Sequence, residues 1–424
     1  MSRRRIIRSI LATMLLLSSI LVFGIGAAAA AAYPTVSVSL DGRVLSLESP
    51  AYIVNGRTLV PYSSLVSALG GTATWNEATN TVTAASGDVT VKLTIGSKTA
   101  MVNHQSVTLD VAPTLINDRT YVPLRFISEA FGKWVSYGKT TGVSINTKRT
   151  IQTSTGTVTL TKKPSRIVTL SSSDTEIIYA LGGTVVGRPT ATGSVYPPEA
   201  ASAVEVGTAH GINFEKLASV KPDLVIASVA LKSHESTIRS LGAEVIFNSH
   251  NTYAEIQNSV RMYGRMLGAE EKAEEIIRQM DQKLAKLTKP QKEIKTLIVY
   301  GAPGSFVVAL PTSYPGNFLE LAGGKNVAES FPKMDSMPQY AELSLERIIA
   351  ANPDLILFIT HGGDPDEVKS SFKKQYESNP AWQSLSAVKN DNFEVLPASL
   401  FAANPGIRAP EAIEVINNIL HQVK

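Results

Sequence analysis

From Arg166 onward, short unbroken apolar runs alternate with stretches of helical spacing. One set of runs lies at 166–170, 223–228 and 244–249, and a second at 296–301, 306–310, 355–360 and 393–397. Continuous apolar strands separated by helices predict mainly parallel sheets covered on both faces. Between the sets, Ile256, Val260, Tyr263 and Leu267 form one apolar stripe, and Ala273, Ile276, Ile277, Met280, Leu284 and Leu287 form another. These stripes predict connecting helices over 253–289, with the stretch 269–288 about 30 Å long at ~1.5 Å per residue. The expected class is α/β, with lobe one over 164–252 and lobe two over 294–424.

Residues 35–147 follow another rhythm. Asn55-Gly-Arg-Thr-Leu-Val-Pro61 recurs as Asn117-Asp-Arg-Thr-Tyr-Val-Pro123, and at the same offset of 62 Ala68 matches Ala130, Gly70 matches Gly132 and Trp75 matches Tyr137. Each copy predicts a turn, a short strand, a helix after the proline and a hairpin. The result is a small duplicated α+β domain, its copies covering each other's apolar faces. The Thr- and Ser-rich stretch 148–163 is expected to be a linker. The lobes also echo each other. Phe214-Glu215-Lys-Leu217 leads to Pro222-Asp223-Leu224, and at an offset of 131 Leu345-Glu346-Arg-Ile348 leads to Pro353-Asp354-Leu355. A helix turn and a strand start explain the apolar positions and the proline, but not why an exposed acid recurs.

Composition changes the picture at the N-terminus. Arg3, Arg4, Arg5 and Arg8 precede the apolar run to Ile25 and the alanines at 27–32, the order of a secretory signal over 1–32. An uncleaved anchor is the competing reading, since Ser9–Ala32 carries no charge. Either way the remainder is expected outside the cytoplasm, at the cell surface or membrane-associated. The formal net charge of +4 resides in those arginines, and the rest is balanced, which removes the basic stripe that nucleic acid demands. The chain contains 0 cysteines, so disulfides, thiolate metal sites and a lipidated N-terminal Cys are excluded.

The Arg-Thr-Xaa-Val-Pro repeat resembles the copper amine oxidase-like N-terminal domain, a stalk module of secreted bacterial proteins. That resemblance implies a spacer or a contact with a cell-wall or surface partner. It implies no copper chemistry, because the domain's one histidine is His104. Arg166-Ile-Val-Thr-Leu, Thr175-Glu176-Ile, Val206-Gly207, Asn213-Phe-Glu215 and Lys221-Pro-Asp-Leu-Val resemble the periplasmic-type binding proteins for iron complexes and cobalamin. The implied fold is two Rossmann-like lobes joined by a long rigid helix, with a cleft beyond the carboxyl ends of the strands. Within that family Gly301-Ala-Pro-Gly-Ser-Phe306, Ala322-Gly-Gly-Lys-Asn-Val327, Thr360-His361-Gly362 and Leu396-Pro-Ala-Ser-Leu-Phe401 are similar to the haem-binding receptors of the iron-regulated surface determinant type.

That resemblance implies haem as the transported ligand, held by one axial residue from each lobe. His361 matches the second-lobe histidine. The family's first-lobe methionine falls where this chain has His210, so the axial-pair type is in question more than the ligand, because imidazole is also a strong haem ligand. Ser172, Ser173 and Thr175 at a helix start are candidates for propionate contacts, and Tyr196, Met337 and Phe401 for pocket walls. His234 and His250 lack such placement. The resemblance implies an ABC transporter permease as partner, docked through Glu215 and Glu346. Ferric-siderophore or cobalamin binding remains open, as does cell-wall adhesion with a degenerate cleft. No Ser-His-Asp spacing, Walker loop or metal-peptidase motif is present, so a binding protein rather than an enzyme is expected.

Overall fold

The computed structural model describes residues 33–191, 195–208, 211–361, 364–374 and 379–423. The leader expected over 1–32 and His210 lie outside the described residues. Contacts divide the chain into two compact units, one of residues up to Val38 with Leu45–Ile127, the other of Ser39–Val44 with Ser128–Lys424.

In the first unit the two copies of Arg-Thr-Xaa-Val-Pro are neighbouring strands. Arg57–Pro61 pairs antiparallel with Arg119–Pro123, with Val60 opposite Val122, at the centre of a five-stranded sheet. Both bury their Val-Pro end. Asn55-Gly56 and Asn117-Asp118 each place two residues at positive φ, 51° and 72° and then 50° and 58°. Two consecutive left-handed residues make a hairpin turn compatible with strand twist, and Asn, Gly and Asp tolerate them best.

The division between units falls inside the second copy, after Ile127. The strands Trp134–Gly138 and Gly142–Asn146 belong with the lobes. Residues 148–163 are not a loose linker. They hold the hairpin Arg149–Thr153 and Gly156–Leu160. Threonine is a good strand former, and in Arg149–Thr153 alternate residues are buried. Ile151 and Leu160 join Trp134, Val260, Tyr263, Met266 and Leu267 in the core of lobe one. The Trp134 indole donates to the Met266 carbonyl at 2.7 Å, and Arg149 lies 5.6 Å from the Trp134 ring and pairs with Glu270 at 2.5 Å.

Lobe one has a parallel five-stranded sheet in the order Val204–Glu205, Gly187–Arg188, Ile167–Thr169, Leu224–Ser228, Glu244–Asn248. In lobe two Lys295–Ala302 and Leu355–Thr360 are parallel at the centre, and Ser305–Ala309 and Tyr340–Glu342 extend the sheet antiparallel. Leu224–Ala227 and every residue of Leu355–Thr360 are buried, because helices cover both faces, and this accounts for their unbroken apolar runs.

The repeated Pro-Asp has a structural task. The Asp223 carboxylate accepts from the backbone N–H groups of Ser165 and Arg166 at 3.0 Å, and that of Asp354 from the Lys295 N–H at 3.0 Å. Each aspartate thus ties the start of its own strand to the start of the central neighbour.

Two α/β lobes joined by helices follow, as expected, and the join divides where the two apolar stripes do. Tyr253–Leu267 ends at Gly268, whose φ of 75° is a left-handed cap, and Glu270–Leu284 begins two residues later. That second helix is shorter than the stretch 269–288. A Cβ on Gly264 would stand 2.5 Å from the Ala273 Cβ, so this glycine lets the two helices touch. Among the described residues no helix is long and apolar enough to cross a membrane.

Because Trp134 is wholly buried against Met266, Trp134→Ala is expected to destabilise the second unit by about 3–5 kcal/mol. A chain beginning at Thr150 is expected to be weakened further by losing Arg149. Urea unfolding followed by circular dichroism measures both, and an unchanged midpoint would show that the hairpin is peripheral.

Candidate functional site

Several of the candidate residues stand in or beside loops beyond the strand ends of the two lobes. In lobe one, strand Ile167–Thr169 leads into helix Ser172–Ala180, whose first turn is capped by Ser171 accepting from the Asp174 N–H at 3.1 Å. Ser172 is exposed and Ser173 is buried. The Ser173 hydroxyl lies 3.3 Å from His250 Nδ1. Thr175 is turned inward, its hydroxyl donating to the Ser171 carbonyl at 3.0 Å and 2.7 Å from Thr169 Oγ1. It closes the lobe's own hydrogen bonding, so the propionate role expected of Thr175 does not fit its surroundings.

His250, set aside on sequence, belongs to this end of the lobe. His250 Nε2 is 3.3 Å from Asp174 Oδ1, and the same oxygen accepts from Tyr263 OH at 2.5 Å. Asn248 stands among them, donating to Ser259 and Tyr263 at 2.8 Å each. Burial beside the Asp174 carboxylate pushes the Tyr263 phenol well above its ordinary value, so it remains a donor. The sequence signal was available: His250 follows strand Glu244–Asn248 as His361 follows Leu355–Thr360.

In lobe two His361 is half-buried. Its backbone N–H donates to the Gly301 carbonyl at 2.8 Å, and its Nδ1 lies 2.5 Å from the Ala402 carbonyl oxygen. A carbonyl only accepts, so Nδ1 carries the proton. With Nδ1 as the donor, the nitrogen that can offer a lone pair is Nε2, the arrangement that second-shell partners impose on metal-binding histidines. His210 belongs to the undescribed pair between strands Gly207–Thr208 and Gly211–Ile212, which pair antiparallel.

The segment after Ala402 reaches lobe one. Asn404 donates to the His250 carbonyl. A Cβ on Gly406 would meet Ser173 Cα at 3.3 Å, so the backbone packs directly on the helix. Arg408 Nε stands 3.2 Å from Glu176 Oε1, a close contact without hydrogen-bond alignment, and its guanidinium lies 4.3 Å from the centre of the Tyr196 ring. Sequence reasoning missed Arg408, which no motif marked. Tyr196 and Met337 are exposed, whereas Phe401 is wholly buried in the lobe-two core and lines no open surface. Glu215 and Glu346 occupy the same position, exposed in the first turn of helices capped by Asn213 and Ser344. Among the described residues no three or more His, Asp or Glu stand together as a site for a bare ion.

Two lobes with parallel-centred sheets, and a histidine held at Nδ1 beyond a central strand, define the two-lobed α/β class. Residues 167–400 match the family model "Periplasmic binding protein", and residues 39–146 match "Copper amine oxidase N-terminal domain". The chain belongs to the periplasmic binding protein family. It is 28% identical over 264 residues to the high-affinity heme uptake system protein IsdE of Staphylococcus aureus, covering 61% of this chain and 88% of that one. The structure of S. aureus IsdE complexed with heme is similar with a TM-score of 0.51 at 27% identity, covering 60% of this chain and 98% of that one. An ABC transporter substrate-binding protein from Listeria monocytogenes is similar with a TM-score of 0.54 at 29% identity, covering 62% and 100%. These relatives are binding proteins, and this chain is one rather than an enzyme.

Burial pushes the Glu176 carboxyl from 4.5 up to about 7, against the pull of Arg408 and with a further push from Glu411. Between those values the folded chain holds a proton that the unfolded chain lacks. The contribution of Glu176 to stability therefore falls as pH rises through that window and levels off above it. Relative to Glu176→Gln, the wild-type Tm should drop between about pH 5 and about pH 8. Parallel melting curves across that range would show that Glu176 does not titrate there.

Proposed function

We propose that this extracytoplasmic protein is the substrate-binding component of an ABC transporter for an iron-related ligand, and that the ligand is haem. The coarser reading, haem or siderophore, is supported by the family and by relatives of both kinds. The observation that carries the haem reading is the hydrogen bond from His361 Nδ1 to the Ala402 carbonyl. It orients one imidazole with Nε2 as the ligating atom at the end of a lobe-two strand. Likeness to a haem-complexed relative supports the same ligand.

In this reading His361 supplies one axial ligand and His210 the other. Ser172 and Ser173 lie at the helix start that would receive propionates, while Tyr196 and Met337 offer aromatic and soft surface to the macrocycle. Haem brings an iron that accepts imidazole nitrogen. Glu215 and Glu346, one per lobe, present matching negative charges to a permease.

A ferric siderophore is the second reading, favoured by Arg408, a cation where the lobes meet that suits an anionic chelate. S. aureus SirA complexed with staphyloferrin B shares the fold at 21% identity and a TM-score of 0.54.

Titrating haemin into the full chain is expected to give a saturable Soret band. His361→Ala should weaken binding by more than about tenfold, or ~1.4 kcal/mol. No Soret band, together with fluorescence quenching by a ferric siderophore, would favour the second reading. Replacing both Glu215 and Glu346 by Ala is expected to leave haemin binding intact and abolish haem uptake by cells, since exposed charges steer docking. Normal uptake would remove the docking assignment.

A further inference from the structure

Tyr300 shares the acceptor that holds His361. Its hydroxyl donates to the Ala402 carbonyl at 2.9 Å, and the same oxygen receives His361 Nδ1–H at 2.5 Å. A carbonyl oxygen has two lone pairs and can accept both. The two rings lie beside each other, centroids 5.4 Å apart and planes 34° apart. Tyr300 and Gly301 are consecutive in the strand paired parallel with Leu355–Thr360, Tyr300 opposite Ile359 and Gly301 opposite Thr360. Gly301 also accepts the backbone N–H of His361. The main chain and the ring of His361 are therefore both referred to one dipeptide. Next to Ala402, the Phe401 carbonyl accepts from the buried Tyr314 hydroxyl, which fixes the helix end Ala398–Phe401 from below.

We infer that Tyr300 is a positioning residue: by anchoring the Ala402 carbonyl it fixes His361 as the Nδ1–H tautomer and presents Nε2 as the iron-ligating atom. The inference rests on the reading of His361 as a haem ligand. An unconstrained histidine favours the opposite tautomer, Nε2–H, whose lone pair on Nδ1 would face the carbonyl and repel it. Burial pushes the Tyr300 phenol up to about 12, so it remains a donor at every working pH. Without its hydroxyl the Ala402 carbonyl loses its second tether, and the imidazole can turn and exchange its proton. Second-shell changes of this kind weaken metal binding by about 10–100-fold.

Tyr300→Phe keeps the ring packed against Tyr340, whose centroid is 5.6 Å away, and removes only the hydroxyl. The test is the nitrogen spectrum of histidine in the ligand-free full chain, labelled with 15N-histidine and recorded at alkaline pH, the His361 signals being assigned by their loss in His361→Ala. The wild type should show the Nδ1–H pattern and Tyr300→Phe a tautomer mixture, with haemin affinity lower by about 10–100-fold. Tyr340→Phe, which removes a neighbouring hydroxyl with no bond to Ala402, should leave the pattern unchanged. An Nε2–H pattern in the wild type overturns the inference, as does a pattern unchanged in Tyr300→Phe or equally disturbed in Tyr340→Phe. The tautomer is read without haem. A Tyr300-dependent Nδ1–H pattern in a chain that gives no Soret band therefore upholds the positioning role and refutes the haem reading alone.

Discussion

The carbonyl of Ala402 accepts from two side chains of lobe two, and the six residues after it carry the chain onto lobe one. Asn404, Gly406 and Arg408 then meet His250, Ser173 and Glu176 in turn. A buried carbonyl left without donors is costly, and so is a buried carboxylate without a cation. In the short run Ala402–Arg408, the Ala402 carbonyl accepts from Tyr300 and His361 of lobe two, and Arg408 brings a cation within 3.2 Å of Glu176 Oε1 in lobe one. Geometry at His361 is thereby linked to the contact between the lobes.

Behind this segment stand two sheets anchored by the same device. Asp223 and Asp354 clamp neighbouring strands at their amino ends, so the opposite, carboxyl ends can carry loops without loosening the sheet. A ligand site built on such ends inherits rigidity from the strands. The helix pair Tyr253–Leu267 and Glu270–Leu284, with Trp134 and the hairpin Arg149–Leu160 packed against it, extends that frame to the end of the second repeat copy and the stretch after it. A ligand captured in such a frame meets a preformed site rather than a chain that folds around it.

Much of the α/β organisation was legible because parallel strands buried on both faces leave runs too apolar for anything else. The hairpin at 149–160 was not, because threonine satisfies a strand and a linker equally and only Ile151 and Leu160 mark the buried face. The break at Gly268 was legible as the point where one apolar stripe ends at Leu267 and a second begins. At the site, the sequence marked His361 through its resemblance and Ser173 through its place at a helix start. Phe401 and Thr175 were misplaced because a motif gives the position in the chain but not the side on which a side chain emerges. Arg408 and Tyr300 were invisible, since each acts through contacts with residues 100 or more positions away or across lobes.

The central claim is that His361 Nε2 binds the iron of haem between the lobes. The most direct measurement is a crystal structure of the full chain grown with haemin. Iron bonded to His361 Nε2, with Nδ1 still on the Ala402 carbonyl, is the expected result. Haemin bound elsewhere, or in the cleft with iron on another residue and His361 turned away, would contradict it.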